Sequence, residues 1–220
     1  ASSVKERKTA IRNALDAMWD EWQDGYGRLL AARGYNIMTS RIGSFGGYVN
    51  EDPKAPSKFR RSVQAFNTAV WKDSASLLAL AELLAEEPDR EKLCVASNYY
   101  LKGEARDGSG NPKSFLDREG AVEMVSRLAA TENPYLWHVL LEPFRWELIV
   151  SQSIHRVGAW EDQMPLDPAS AENLLSWYQS KRAVLENQSD GDCAMMAICD
   201  SGHATPSIIK FMTEEARGSD

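Results

Sequence analysis

"SASLLALAELLAEE", from Ser74 to Glu87, decides the fold class of this 220-residue chain. Its leucines and alanines recur at the three- and four-residue spacing that places side chains on one face of an α-helix. Asp73 or Ser74 can cap the start of the helix, and Pro88 marks its end. The side predicted to face a core consists of Leu77, Leu80, Ala81 and Leu84.

The same helical period recurs along most of the chain. One stripe upstream is Val4, Ile11, Leu15, Met18 and Trp22, and a second is Phe59, Val63, Phe66 and Val70. Downstream, Asn133-Pro134 and Asp167-Pro168 each place a capping residue before a proline at the first helical position. Almost no segment alternates with the period of a strand. The expected fold is therefore all-α, an irregular bundle of eight to nine helices.

One long segment interrupts the helical pattern. From Tyr35 to Pro56 the chain is rich in glycine, serine, asparagine and proline, which predicts a long Gly-rich loop. Loops of this length are uncommon in compact domains and are often functional. We predict a single α-helical domain over residues 1–220, with a division into two helical halves near residues 104–113 as the alternative.

Cysteine content and hydropathy indicate the setting in which the protein works. Three cysteines are an odd and small number for a disulfide-stapled secreted fold, so we expect an intracellular, cytoplasmic location. The most apolar stretch, Pro134 to Ile154, contains His138, Glu142 and Arg145, which would be costly in lipid. We therefore expect no membrane partner. We interpret these three polar residues as a buried ion pair that fixes helix packing, the alternative being a general acid/base set in a pocket.

Charge is unevenly distributed along the chain. The net charge is −7, yet the residues through Ser62 include eleven basic and seven acidic side chains. This basic third predicts a contact surface for an acidic protein surface or a nucleic-acid backbone, the alternative being ordinary scatter on solvated helices. The candidate binding residues are Lys5, Lys8, Arg12, Arg41, Phe45, Tyr48, Lys58, Arg60 and Arg61. The Gly-rich loop lacks the spacing of a phosphate-binding motif, and we expect no cofactor.

"SDGDCAMMAICDSGH", from Ser189 to His203, suggests a different chemistry. Cys193 is predicted to open a short helix, roughly Cys193 to Asp200, where backbone N–H groups and the helix dipole favour a thiolate. The "DGDCAMMAI" part resembles the catalytic-cysteine segment of the ovarian-tumour (OTU) family of deubiquitinases. The resemblance implies that Cys193 is a nucleophile and that Asp190 lies in the turn that shapes the oxyanion site.

Three other interpretations of this segment remain open. His203 is the only histidine after Cys193, and a thiol without a positioned base is a poor catalyst, so the cysteines can instead be soft packing residues. "MAICDSGHATPSIIKFM" resembles helix-turn-helix segments of nucleic-acid-binding regulators. Cys199 and His203 are too few ligands for a zinc site, so we expect no metal. The leading prediction is a non-enzymatic helical binding protein, with a cysteine hydrolase and a helix-turn-helix regulator as alternatives.

Overall fold

The structure is a computed structural model that describes residues 4–39, 42, 52, 54–100, 115–153, 164–185 and 188–217, without the side chains of 148–153. Every regular element within those ranges is a helix, and none of the described residues forms a strand. The predicted all-α fold is therefore confirmed. Most of the predicted Gly-rich loop lies outside the described residues, as does the predicted boundary at 104–113.

The N-terminal helical run combines two α-helices and a π-helical turn. Helix α1 spans Val4–Glu21, the π-helical turn spans Trp22–Tyr26, and α2 spans Gly27–Ala32. Helical backbone angles at both junctions make the run continuous. Gly34 follows the run with φ = 82°, a conformation that glycine adopts without a Cβ clash.

Three helices and a short 3₁₀ turn complete the first half. The 3₁₀ turn spans Ile37–Thr39, and helices α3, α4 and α5 span Ser57–Val70, Ser74–Glu86 and Arg90–Asn98. Asp73 rather than Ser74 caps α4, by accepting from the backbone N–H of Ser76. Ser57 does not cap α3 but is its first helical residue, and Pro56 precedes it without a side-chain cap bond.

The second half is also helical in its described residues. Helices α6 to α10 span Arg118–Ala130, Pro134–Ser153, Pro168–Lys181, Gln188–Asp200 and Pro206–Arg217. Asp117 and Asp167 cap α6 and α8 by accepting backbone N–H bonds. Asn133 accepts from the N–H of Tyr135 at the start of α7. Both predicted starts before a proline are therefore confirmed.

Helix α7 contains a proline, Pro143, within its length. Pro143 has no N–H, so the carbonyl of Val139 four residues earlier lacks its usual helical donor. The hydroxyl of Tyr100 donates to that carbonyl at 3.2 Å. This bond replaces the missing one, and the helix is not divided. Among the described residues no helix, α7 included, is long and apolar enough to cross a membrane.

The buried core extends across both halves. Helix α1 packs against α3 and α4, and α7 packs against α4, α6 and α9. The predicted inner side of α4 is buried at Leu77, Leu80, Ala81 and Leu84. Most tryptophans serve the core: Trp22, Trp71, Trp137 and Trp177 are buried, and Trp19 and Trp146 are partly buried and pack against the core.

Helices α4 and α6 lie close together at their N-terminal ends, where Ser74 meets Gly120. A Cβ atom on Gly120 would lie 2.2 Å from Cβ and 2.5 Å from Oγ of Ser74. The Ser74 hydroxyl donates to the carbonyl of Phe115 at 2.8 Å and accepts from the N–H of Asp117 at 3.3 Å. Position 120 therefore requires a residue without a side chain.

Candidate functional site

Helix α9 begins five residues earlier than predicted. It spans Gln188–Asp200, so Cys193 lies in its second turn, and Asp190 lies in its first turn rather than in a preceding loop. The dipole effect of a helix N-terminus falls off within the first turn, so Cys193 gains little from it. The helix dipole stabilises the negative charge of an aspartate in the first turn. The side chain of Asp190 also bonds to His138, which is distant in sequence.

His138 of α7 and Asp190 of α9 form a buried pair. Nδ1 of His138 lies 2.9 Å from Oδ1 of Asp190, and the side chains are 6% and 3% exposed. Burial opposes a charged imidazole, but the hydrogen bond and charge of Asp190, aided by Glu142, outweigh it and raise the pKa of His138 above 6.5. The predicted ion pair among His138, Glu142 and Arg145 is present in part: Arg145 lies 3.8 Å from Glu142, whereas the close partner of His138 is Asp190.

Cys193 lies near this pair without the properties of an activated thiol. It is 1% exposed. Burial raises the pKa of its thiol well above 9.0, and the negative charges of Glu142 and Asp190 raise it further. Catalytic cysteines instead combine partial exposure with a lowered pKa. These properties favour the interpretation of Cys193 as a packing residue.

A hydrogen bond from His203 joins the turn after α9 to the segment before α8. Its Nε2 lies 2.8 Å from the carbonyl oxygen of Leu166, and because a carbonyl only accepts, Nε2 carries the hydrogen. The N–H of Met164 donates to the carbonyl of Asp200 at 3.1 Å and closes the same junction. Within the described ranges, no group of three or more histidine, cysteine or acidic residues could hold a metal ion.

The helix pair α9–α10 contains the segment that resembles a helix-turn-helix. Gly202 makes the turn between the helices with φ = 69°. Helix α10 exposes Ile209 and Met212, and its carboxylates Glu214 and Glu215 would repel phosphates. Glu215 also pairs with Arg182, the residue that follows α8. The nucleic-acid-binding hypothesis for these helices stays a prediction.

The basic side chains of the N-terminal third fall into two groups. One group is bound within the protein: Arg7 to Asp73, Lys8 to Glu82, Arg28 to Asp24, Arg33 to Asp52, Lys58 to Glu21, and Arg60 to the carbonyl of Asp52. The other group is exposed and makes no ion pair with any described residue: Lys5, Arg12, Lys54 and Arg61. The predicted binding residues Arg41, Phe45 and Tyr48 lie outside the described residues.

The exposed cations lie in two places rather than on one surface. Lys5 and Arg12 are two helical turns apart and so lie on the same side of α1, where Arg12 also lines a cleft with residues of α4 and α5. Lys58, at the start of α3, lies 3.2 Å from Glu21 at the far end of α1, and Arg61 follows one turn later. Lys5 and Arg12 therefore form one patch. Lys54 belongs with Arg61 near the start of α3, because the N–H of Lys54 and the side chain of Arg60 both bond to Asp52.

Asp52 is a residue that sequence reasoning missed. Its carboxylate accepts from the hydroxyl of Tyr26 at 3.1 Å and from Arg33 at 2.7 Å, and its carbonyl accepts from Arg60. The backbone N–H of Lys54 and the guanidinium of Arg33 hold the pKa of this carboxyl below its usual range. Arg60 was predicted as a contact residue, yet its side chain instead helps to fix Asp52 against the first helices.

Comparisons with protein-family models, curated proteins and solved structures found no match for this chain. The resemblance of the segment from Asp190 to Ile198 to ovarian-tumour deubiquitinases therefore stays a prediction. The geometry of the described residues is the basis on which a function can be assigned.

Proposed function

We propose that this chain is a non-enzymatic helical binding protein that contacts an acidic protein surface through its basic N-terminal third. One observation carries the proposal. The exposed side chains of Lys5, Arg12, Lys54 and Arg61 make no ion pair with described residues, although the chain as a whole carries a net charge of −7. These cations are therefore available to the carboxylates of a partner.

The balance of charge favours an acidic protein over a nucleic acid as the partner. Proteins that bind duplex DNA tightly neutralise on the order of 6–10 phosphates. Here several basic side chains of the same third are already engaged, Arg7, Lys8 and Arg33 among them. The residues after Ser62 carry an excess of acidic groups, which would repel a phosphate backbone. A short acidic segment of a protein needs fewer cations.

The burial of Cys193 and the partners of the two histidines support binding rather than catalysis. Cys193 is buried, and the pKa of its thiol is raised rather than lowered. His138 directs one ring nitrogen to Asp190, and His203 directs one to the carbonyl of Leu166. A thiol hydrolase needs an exposed thiolate beside a base.

The proposal predicts that reversing the four exposed cations weakens binding to an acidic polypeptide. The probe is a fluorescently labelled poly-L-glutamate, and binding is followed by fluorescence anisotropy at about 50 mM salt, where surface charges are weakly screened. The variant changes Lys5, Arg12, Lys54 and Arg61 to glutamate. We expect its affinity to fall by at least about tenfold, because attractive pairs become repulsive ones.

A matched control variant distinguishes the effect of where the substituted cations lie from the effect of the change in total charge. It changes four exposed cations outside the basic third, Lys72, Arg90, Arg118 and Arg217, to glutamate, with the same change in net charge. We expect this control to retain most of the binding, with far-UV circular dichroism confirming that both variants fold. An equal loss in the two variants would contradict the proposal. Tighter binding to a DNA duplex than to poly-L-glutamate, with a steep salt dependence, would show a nucleic-acid partner instead.

A further inference from the structure

Three sulfur-containing side chains on the neighbouring helices α9 and α10 are exposed. Met196 and Cys199 belong to α9, and Met212 belongs to α10. Of the three cysteines in the chain, all of which are described, only Cys199 is exposed. Met196 and Met212 are each 38% exposed, although methionine usually fills gaps in a core. The three sulfurs are therefore a group of soft donors that a dissolved ion can reach.

Two of these sulfurs already lie at the distance that a shared metal ion requires. Sγ of Cys199 lies 4.0 Å from Sδ of Met212. A metal–sulfur bond is about 2.3 Å long, so two sulfurs bound to one ion at an angle of about 120° are about 4.0 Å apart. An ion therefore fits between the two side chains without a movement of either helix.

Met196 is placed to provide a third sulfur. It lies three residues before Cys199, so the two side chains project from the same face of α9. Side chains on a helix lean toward its N-terminus, which directs the thiol of Cys199 toward the turn that contains Met196. Methionine has three rotatable bonds, so its sulfur can turn toward an ion that Cys199 and Met212 hold.

Packing on the opposite faces of the two helices fixes this arrangement. On α10, Ile208 and Phe211 are buried, and the ring of Phe211 lies 5.9 Å from the ring of Tyr178 on α8. On α9, Ala197 and Ile198 are buried. Sites built on packed helices hold their ligands more precisely than sites on loops.

We propose that Met196, Cys199 and Met212 form a binding site for a soft monovalent cation, copper(I). Thiolate and thioether sulfurs select copper(I), whereas magnesium, calcium and manganese prefer oxygen. Zinc is disfavoured, because a structural zinc site uses four thiolate, imidazole or carboxylate ligands. No three such residues come together within the described ranges, and Nε2 of the nearby His203 is bound to the carbonyl of Leu166.

Binding exchanges the proton of the Cys199 thiol for the metal ion. Burial and the charge of Asp200 raise the pKa of this thiol above 9.0, so the thiol is protonated at neutral pH. One proton passes to the solvent for each ion bound, and the metal stays in the copper(I) state, so no oxidant or reductant takes part. The affinity should therefore rise about tenfold per pH unit between about pH 6 and pH 8.

The test titrates copper(I) into the native chain without oxygen, in competition with the coloured chelator bicinchoninate. We expect one copper(I) ion per chain and a sulfur-to-copper charge-transfer band in the near ultraviolet. Cys199→Ser should weaken binding at least about a hundredfold and remove its pH dependence, since the loss of even an indirect contact to a metal costs about 10–100-fold. Met212→Leu and Met196→Leu, which conserve volume, should each weaken binding at least about tenfold.

A second cysteine–methionine pair provides the matched controls. Sγ of Cys94 lies 3.7 Å from Sδ of Met38, but this thiol is 1% exposed and lies 2.9 Å from the hydroxyl of Tyr135. Cys94→Ser and Met38→Leu should therefore leave copper(I) binding unchanged. Poly-L-glutamate binding should match the native chain in all these variants, because none of them removes a cation. Failure of this proposal and failure of the partner proposal are distinguishable in this way.

Three results would overturn the copper(I) site. The first is a native chain that takes no copper(I) from the chelator. The second is binding that survives Cys199→Ser or disappears in Cys94→Ser. The third is binding that Cys199→Ser removes but that both methionine variants retain in full, which would show a single reactive thiol rather than a three-sulfur site. Far-UV circular dichroism checks that each variant is folded.

Discussion

Replacing Asp190 with alanine lowers the free energy of unfolding by about 3 kcal/mol, near the lower end of the range for breaking a buried charged pair. The substitution leaves His138 buried without its acceptor. The cost is limited because the imidazole can release its proton, unlike a permanently charged group. Urea unfolding followed by circular dichroism measures the change. Asp192→Asn is the control, since Asp192 is exposed in the same helix, and we expect it to change stability by less than about 0.5 kcal/mol.

The pair also makes stability depend on pH in a defined direction. The pKa of His138 is raised above 6.5 in the folded protein, because its bond to Asp190 and the nearby carboxylates outweigh the effect of burial. Its stabilising contribution is therefore complete below pH 6.5 and is lost as pH rises through the folded-state pKa. The stability difference between the native chain and Asp190→Asn should be larger at about pH 5.5 than at about pH 9. A difference that is constant or grows with pH would contradict the assignment.

Gly120→Ala should destabilise the protein by about 3 kcal/mol, the upper part of the range for forcing extra atoms into a packed interior. The new Cβ atom would lie 2.2 Å from Cβ of Ser74, so the ends of α4 and α6 would have to separate. That movement also disturbs the bonds from Ser74 to Phe115 and Asp117. Thermal and chemical unfolding of the purified variant measure the loss.

Two control variants test whether the clash with Ser74 causes the loss of stability in Gly120→Ala: Gly25→Ala, and Gly120→Ala combined with Ser74→Gly. Gly25→Ala should change stability by less than about 1 kcal/mol, since its Cβ would meet only Cγ of Pro56, at 3.8 Å. Adding Ser74→Gly to Gly120→Ala removes two of the three atoms nearest the new Cβ, leaving only Oδ1 of Asp117 at 2.8 Å, and should recover part of the loss, so the two changes are not additive. Additive losses would show that the contact between α4 and α6 is not the cause.

Local sequence patterns could predict the helices but not what the helices bring together. Repeating leucines predicted α4, and Asp117 and Asp167 cap α6 and α8 through contacts within three residues. The bond between His138 and Asp190 joins positions 52 residues apart, and no periodic pattern encodes such a contact. The start of α9 was misplaced for the same reason. Asp190 and Gly191 have low helix propensity, which tertiary contacts override.

The partners of the charged side chains could not be predicted from local sequence either. The basic composition of the first third could be counted in the sequence, but its partners could not. Lys8 and Arg60 were predicted as contact residues, and the structure pairs the first with Glu82 and bonds the second to the carbonyl of Asp52. Gly120 gave no usable signal either, since a glycine inside a helical pattern normally indicates only a weaker helix. Its role depends on the approach of Ser74, 46 residues earlier in the chain.

The rate at which each cysteine is alkylated in the folded protein tests most directly whether the chain works by binding rather than by thiol chemistry. Cys199 is exposed, whereas Cys94 and Cys193 are buried. Iodoacetamide at about pH 7.5, with peptide mass spectrometry over time, reports each thiol separately. We predict that Cys199 reacts first and that Cys193 reacts only at the rate of unfolding, faster in urea. Alkylation of Cys193 ahead of Cys199 in the folded protein would contradict the account and favour a catalytic cysteine.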